Sequence, residues 1–289
     1  MRMEGREESE NVEDRRGMRF PGGGRGAAIG CFGLLAVLVI SWLTGADPNK
    51  LLGLLGLVQQ MAPPAVEQQV PAGQPPRDDP QARFVAQVLK GTEDAWGQVF
   101  AREGKSYEKP RLVLFDGRVE SACGLASAAV GPFYCPGDRK VYLDLAFFRE
   151  LSQRFGAPGD FAQAYVVAHE VGHHVQNLLG LSDQVTAMQQ RARSQEQANA
   201  LSIRLELQAD CFAGVYGHFD QQYLEPGDVE EGLRAAAAIG DDTIQKRTQG
   251  ETAPESWTHG SSEMRVRWLR QGLQSGDPAS CDTFKAARL

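Results

Sequence analysis

The chain has 289 residues, with 30 lysines and arginines against 37 aspartates and glutamates, which gives a net charge of −7. This acidic balance argues against a duplex nucleic-acid binder, because such proteins need a basic face to displace the counterions of the phosphates. Apolar residues make up 42% and charged residues 23% of the chain, which excludes a fibrous or wholly disordered protein and allows one or two domains with a hydrophobic core.

Residues 27–46 form an apolar run of twenty positions without a charged side chain. A helix of this length, at about 1.5 Å per residue, would cross the hydrocarbon layer of a lipid bilayer, which is about 30 Å thick. Six arginines precede the run within residues 1–26, whereas only Lys50 lies in the twenty positions after it. The positive-inside rule therefore predicts a single-pass protein of the cell inner membrane, with residues 1–26 in the cytoplasm and the rest of the chain outside it.

A cleaved signal peptide and a buried helix of a soluble core are the alternatives for the same run. The run is longer than the usual hydrophobic region of a signal peptide, its leader is long, and no clear cleavage site follows it. A buried helix would normally carry a polar stripe on one face. An uncleaved anchor in the lipid bilayer is therefore the preferred interpretation.

Residues 47–80 begin apolar and then become rich in proline and glutamine. Such a composition buries little surface and predicts an extended tether. The remaining residues, 81–289, suffice for one compact domain, and their periodicity predicts a mostly helical α+β fold with a small antiparallel sheet. The predicted strand is 111–115, the predicted hairpin is 131–144, and the predicted helices are 81–103, 160–179, 183–217 with breaks, 226–248 and 260–274.

The predicted helix at 160–179 contains the motif His-Glu-Val-Gly-His at residues 169–173. Residues i and i+4 lie one turn apart on the same helix face, so His169 and His173 can bind one tetrahedral zinc ion together. Glu170 is rotated by about 100° and is placed to take a proton from a water molecule on the ion. Two ordinary core histidines are the alternative, but a chance match to this motif is rare in a chain with five histidines.

A catalytic zinc ion needs a third protein ligand, with its fourth position left to water. No histidine stands at the short distance beyond His173 that metzincins require, and His174 is turned away from the metal face. Glu206 and Asp210 are spaced i and i+4 on a later helix rich in small residues. We predict Glu206 as the third ligand and Asp210 as the acceptor for the second nitrogen of His169. Taken alone, this acidic pair would fit a solvated helix face equally well.

Several segments together resemble the neutral zinc metallopeptidase family of bacteria over almost the whole chain. They are MRMEGREESENVEDRR, the apolar run, GPFYCPGDRKVYLDL, AYVVAHEVGHHVQ, RLELQADCFAG and THGSSEMR. The His-Glu-x-x-His motif followed by Glu-x-x-x-Asp is also similar to gluzincins, including membrane proteases of the CaaX-processing type. The resemblance implies a zincin-like fold with Zn²⁺ as the cofactor and Glu206 among its ligands.

The predicted activity is hydrolysis of peptide bonds in a peptide or protein substrate, with Glu170 as the general base beside Zn²⁺. His259 and Arg265 stand six residues apart near the start of the last helix, a spacing also found in CaaX-type gluzincins. We predict that both contact the substrate or its transition state, with a capping histidine and a surface arginine as the alternative. Strand 140–144 is a candidate for pairing with extended substrate backbone, with simple core packing as the alternative.

Two other functions fit the same residues. One is a noncatalytic, zinc-stabilised binding module at the membrane, which would not need Glu170 beside an open coordination position. The other is a zinc amidase that acts on cell-wall material, and only substrate profiling separates it from a peptidase. The sequence indicates no nucleic-acid partner and leaves the natural substrate, the regulation and the oligomeric state open.

Four of the five cysteines follow the apolar run, as expected of a domain that folds in an oxidising compartment. Four cysteines allow three pairings. The preferred one joins Cys123 to Cys135 across a glycine-rich loop, and Cys211 to Cys281 between the helix of Glu206 and the C-terminal tail. Free, buried thiols are the alternative.

Overall fold

The computed structural model describes residues 1–17 and 78–289. The predicted anchor at 27–46 and nearly all of the predicted tether at 47–80 lie outside the described residues. Among the helices of the described residues, none is both long enough and apolar enough to cross a bilayer.

Helices make up most of the described part of the chain, which confirms the predicted mostly helical α+β class. The helices are α1 (Pro80–Arg102), α2 (Ala146–Gln153), α3 (Asp160–Leu178), α4 (Leu181–Gln190), α5 (Gln195–Phe219), α6 (Asp228–Ala238), α7 (Asp241–Thr248) and α8 (Ser262–Ser275). The strands are β1 (Val12–Asp14), β2 (Arg111–Leu114), β3 (Arg118–Ser121), β4 (Gly124–Ser127), β5 (Phe133–Cys135) and β6 (Lys140–Leu143).

Two of the predicted helices are divided in the structure, including the one for which breaks were predicted. The prediction at 183–217 corresponds to α4 and α5, and the prediction at 226–248 corresponds to α6 and α7. Between α6 and α7, Gly240 packs against the backbone of Ser262, and a β-carbon at this position would lie 2.5 Å from the Ser262 nitrogen. The close packing of α8 therefore requires a glycine at position 240, whereas the apolar pattern of the sequence predicted an uninterrupted helix there.

The main sheet has four strands in the order β1-β2-β6-β5. The predicted hairpin is confirmed, because β5 and β6 pair antiparallel. The prediction that the whole sheet is antiparallel is wrong, because β1 pairs with β2, and β2 with β6, in parallel. Strands β3 and β4 form a separate antiparallel sheet. Since β6 lies between β2 and β5, the predicted pairing of strand 140–144 with substrate backbone is wrong as well, and β5 forms the edge.

Residues 1–17 are part of this fold. Met1–Arg16 belongs to the same compact unit as the described residues from Asp78 onward. Strand β1 lies at one edge of the main sheet, and its Val12 is 1% exposed within the hydrophobic core. The sequence predicted that residues 1–26 are separate from a domain that begins at residue 81. In the structure, the burial of Val12 and the pairing of β1 with β2 make the described N-terminal residues part of that domain.

Both predicted disulfides are present, which confirms the chosen pairing. Cys123 bonds to Cys135 with a sulfur–sulfur distance of 2.03 Å, and Cys211 bonds to Cys281 at 2.00 Å. The first joins the turn of the β3–β4 hairpin to the edge strand β5. The second joins the middle of α5 to the C-terminal tail.

Small residues bring α5 close to both α3 and α8. A β-carbon on Gly172 of α3 would lie 3.0 Å from the carbonyl oxygen of Ala209 in α5. On the other side of α5, a β-carbon on Gly272 of α8 would overlap the carbonyl oxygen of Cys211. The two crossings fix α5 between α3 and α8 at backbone contact.

We expect Gly272→Ala to lower the free energy of unfolding by about 1–3 kcal/mol or more, because the new methyl group forces two helix backbones apart. Gly97→Ala is the matched control, since Gly97 also lies in a helix but no atom stands within 4 Å of its β-carbon position. That control should raise stability by about 0.5–1 kcal/mol. Urea denaturation of both variants tests the crossing, and equal stability of the two would contradict it.

Candidate metal centre

Three metal-binding side chains meet where α3 crosses α5. Ligand atoms of His169, His173 and Glu206 all lie within 4.8 Å of one another. The Glu206 carboxylate is 3.2 Å from Nε2 of His169 and 3.5 Å from Nε2 of His173. Ligand atoms around a tetrahedral zinc ion, each about 2.0–2.2 Å from it, lie about 3.3–3.6 Å apart. The donor set suits Zn²⁺, and the Glu206 carboxylate lies as close to each imidazole as two ligands of one zinc ion do.

Glu170 follows the first of these ligands on α3. Its side chain is largely buried, at 8% exposure. Within the residues that the structure describes, no hydrogen bond holds its carboxylate, and its charge raises the pKa of the neighbouring His173. A buried carboxylate beside the metal ligands and without a protein partner is available to accept a proton from a water molecule.

The orientation of His169 is fixed by Asp210, which lies one turn beyond Glu206 on α5. The Nδ1–H of His169 donates to Oδ1 of Asp210 at 2.8 Å, which is the hydrogen bond expected from the sequence. The hydroxyl of Tyr165 donates to the same oxygen at 2.6 Å. With Nδ1 carrying the hydrogen, the lone pair on Nε2 of His169 is directed at Glu206 and the metal position.

Charged side chains surround the buried carboxylate of Asp210 and shift its pKa. Burial alone would raise the pKa of Asp210, but Arg265 and His169 lower it to about 2. For His169 the effect of burial is the opposite, because it lowers the pKa. The charge of Asp210 and the hydrogen bonds to Asp210 and Glu206 nevertheless raise the pKa of His169 to about 10. The pKa of Glu206 lies well below its usual value because His173 and His169 outweigh the effect of burial. The two carboxylates therefore stay ionised.

Arg265 does not occupy the predicted position of a substrate contact. Its side chain is 3% exposed, and its Nε and Nη2 donate to the two oxygens of Asp210 at 2.8 and 2.9 Å. Nη2 also donates to the hydroxyl of Tyr165 at 3.0 Å. The guanidinium thus lies on the Nδ1 side of His169, opposite the face that carries Glu206. Arg265 therefore holds Asp210, the acceptor of His169, and does not contact the substrate as predicted.

His259 lies just before the N-terminus of α8 and is exposed, with 52% of its side chain accessible. Its backbone N–H donates to Asp241 at 2.7 Å, and the Thr258 hydroxyl lies 3.0 Å from its Nδ1. The contact with Asp241 raises the pKa of His259, partial burial lowers it, and the negative charge of Glu206 raises it again. His259 and Glu206 are therefore within electrostatic reach of each other.

Sequence analysis missed two side chains beside the candidate ligands, one bonded to Asp210 and the other to His173. Tyr165 precedes His169 by four residues on α3, and Gln176 follows His173 by three, with its Oε1 2.9 Å from Nδ1 of that histidine. The i−4 and i+3 spacings put both on the metal face of the helix, which is the signal that could have found them.

The two remaining histidines, His174 and His218, bond to backbone carbonyls. The Nε2–H of His174 donates to the Glu108 carbonyl at 2.7 Å, while its Nδ1 lies 3.0 Å from the Tyr134 hydroxyl. Burial lowers the pKa of His174, which favours the neutral ring. The Nδ1–H of His218 donates to the Leu273 carbonyl at 2.9 Å.

Comparison with known proteins gives a match over nearly the full length. A family model described as "Putative neutral zinc metallopeptidase" matches residues 1–284. The chain is 47% identical to "Uncharacterized protein YpfJ" of Escherichia coli K12, across 98% of this chain and 99% of that protein. It is 46% identical to "Uncharacterized protein Rv2575" of Mycobacterium tuberculosis H37Rv, across 72% of this chain and 73% of that protein. No solved structure matches the chain.

Proposed function

Because the chain belongs to the putative neutral zinc metallopeptidase family, whose cofactor is Zn²⁺, we propose that it hydrolyses peptide bonds with Glu170 as the general base. In this proposal His169, His173 and Glu206 hold the ion. The observation that supports it best is the convergence of their ligand atoms, which all lie within 4.8 Å of one another and would leave the fourth position of a tetrahedral zinc ion to water.

Bound zinc would supply a Lewis acid that polarises the substrate carbonyl and lowers the pKa of water. The Glu170 carboxylate accepts a proton from the attacking water and then donates it to the nitrogen of the leaving amine. Asp210 holds the ring of His169 so that Nε2 faces the ion. His259, exposed and held by Asp241, donates a hydrogen bond to the carbonyl oxygen as negative charge develops on it.

The catalytic domain is further proposed to act outside the cytoplasm, held at the membrane by the apolar run at 27–46. Two features support this placement. The domain contains two disulfides, which persist in oxidising compartments and are rare in the cytosol. The run is also apolar over twenty consecutive positions, as expected of a segment that is embedded in a lipid bilayer.

The test of the proposed reaction is Glu170→Gln in the full-length protein. We expect this variant to retain one zinc ion per chain and to lose peptide hydrolysis by about 100- to 10,000-fold, because the amide cannot accept the proton. Cleavage of a quenched fluorescent peptide library and metal analysis measure the two quantities. Glu150→Gln, at an exposed position of α2, is the matched control and should keep full activity.

Full peptide hydrolysis by the Glu170→Gln variant would contradict the role of Glu170. Failure of the wild-type protein to cleave any peptide, together with release of amines from cell-wall material, would replace the peptidase by an amidase with the same metal site.

A further inference from the structure

Residues 1–17 are attached to the domain by buried pairs on several of its elements. Arg6 forms an ion pair at 2.7 Å with Asp220, at the end of α5, and the two side chains are 7% and 9% exposed. Glu93 of α1, itself 3% exposed, accepts hydrogen bonds from Ser9 at 2.5 Å and from Asn11 at 2.8 Å. Breaking a buried pair leaves an uncompensated charge in the interior, which is strongly destabilising. The segment is therefore a permanent part of the fold.

The sheet holds the same segment in register. Val12 pairs with Leu112 and Asp14 with Leu114, in parallel to β2. Glu13, with its side chain 8% exposed, accepts from Lys140 at 3.0 Å and from Arg111 at 3.1 Å. Burial raises the pKa of Glu13, but these cations lower it overall. Strand β1 thus has both backbone and charged partners within the domain.

Both flanks of residues 18–77 meet at one place. The Arg16 guanidinium pairs with the Asp79 carboxylate, and each of these residues is separated from that segment by one position. A single crossing of the membrane would separate these two side chains by the full hydrocarbon layer, about 30 Å. We propose that residues 1–17 and 78–289 lie on the same side of the membrane, so that residues 18–77 begin and end on that side. The predicted cytoplasmic placement of residues 1–26 opposite an exported domain is incompatible with this packing.

Cysteine labelling tests the proposal in the full-length, membrane-inserted protein. Glu10→Cys and Arg288→Cys are made separately in a Cys31→Ser background, in which the four remaining cysteines are paired. Both positions are exposed. Spheroplasts are treated with a membrane-impermeant maleimide before and after permeabilisation, and the background protein without a new cysteine is the control.

The two positions are expected to behave alike, with both labelled before permeabilisation. Labelling of one position before and the other only after permeabilisation would overturn the proposal. If both positions are labelled only after permeabilisation, the shared side is supported and the exported location under the proposed function is contradicted. The two failures are therefore distinguishable.

A second inference rests on the proposed zinc site. Its evidence is a series of hydrogen bonds between buried side-chain amides that ends at His173. Gln176 is fully buried, and its Nε2 donates to the Leu205 carbonyl at 2.6 Å and to Oε1 of Gln208 at 3.1 Å. Both hydrogens of the amide are thus in use, so Oε1 of Gln176 is left to accept from Nδ1 of His173. This fixes the hydrogen on Nδ1 and leaves Nε2 of His173 free for the metal.

The chain continues into the C-terminal tail. Nε2 of Gln208 donates to the Cys281 carbonyl at 3.1 Å, and the Thr283 hydroxyl donates to the Arg204 carbonyl at 2.6 Å. The tail therefore orients Gln208, which orients Gln176. We infer that Gln176 is a positioning residue for the ligand His173, and that the tail beyond Cys211–Cys281 contributes to zinc affinity through it.

Zinc affinity of the full-length protein, measured by competition with a chromogenic chelator, tests this inference. Gln176→Met is expected to weaken zinc binding by about 10- to 100-fold, and Gln208→Met in the same direction by less. Gln87→Met is the matched control, because Gln87 is also a buried amide, bonded to the Met3 and Arg6 carbonyls instead. Wild-type affinity in Gln176→Met, or an equal loss in Gln87→Met, would overturn the inference whether or not peptides are cleaved.

Discussion

Replacing Asp210 with alanine is expected to lower the free energy of unfolding by about 3–5 kcal/mol, because it leaves a buried cation without its partner. Arg265 is 3% exposed and directs two hydrogen bonds to this carboxylate. The Tyr165 hydroxyl and the Nδ1–H of His169 lose the same acceptor. Urea denaturation of the metal-free protein measures the stability, and chelator competition measures the accompanying loss of zinc affinity.

Two comparisons separate burial from charge in this result. Asp282→Ala removes a carboxylate that pairs with Lys285, a side chain that is 88% exposed, and should change stability by less than about 1 kcal/mol. The double variant Asp210→Leu with Arg265→Met removes both buried charges and should recover much of the stability. It should not recover zinc affinity, since His169 still lacks its acceptor. If Asp210→Ala were as stable as Asp282→Ala, the buried pair would not have the role described.

A protein that begins at residue 78 is expected to lose most of its stability. Without residues 1–17, Asp220 loses the ion pair with Arg6, and β2 loses the strand that contributes Val12 to the core. The buried pair alone accounts for about 3–5 kcal/mol, against a typical total stability of about 5–15 kcal/mol. Thermal unfolding followed by near-ultraviolet circular dichroism should show little or no cooperative transition.

Addition of a synthetic peptide of residues 1–17 should restore the transition in proportion to the peptide concentration, because the peptide binds only the folded domain. The same peptide with Val12→Asp is the control and should restore little. A fragment of 78–289 that melts like the full-length protein without any peptide would show that the N-terminal segment is dispensable for folding.

Sequence reasoning was most successful where local spacing determines geometry. The i and i+4 spacing of His169 and His173 on one helix places both imidazoles on one face regardless of the rest of the fold. The turn between β5 and β6 likewise joins residues close in sequence. The pairing of the cysteines agreed with the structure as well, although it was one of three possibilities.

The contacts that sequence analysis missed depend on the packing of distant segments. Strand β1 has three residues, too few to show a periodicity, and its partner β2 lies about a hundred positions later. The parallel pairing of β2 and β6 cannot be read from either strand alone. For Arg265, the sequence indicated the neighbourhood of the metal ligands, but only the crossing of α8 with α5 determines that the guanidinium turns toward Asp210.

The most direct measurement of the central claim is the coordination of zinc in the purified full-length protein, by X-ray absorption together with anomalous diffraction from crystals. We predict one zinc ion per chain, bound by Nε2 of His169, Nε2 of His173 and a carboxylate oxygen of Glu206, each at about 2.0–2.2 Å. Zinc found away from these three side chains, or full zinc retention after Glu206→Gln, would contradict the account.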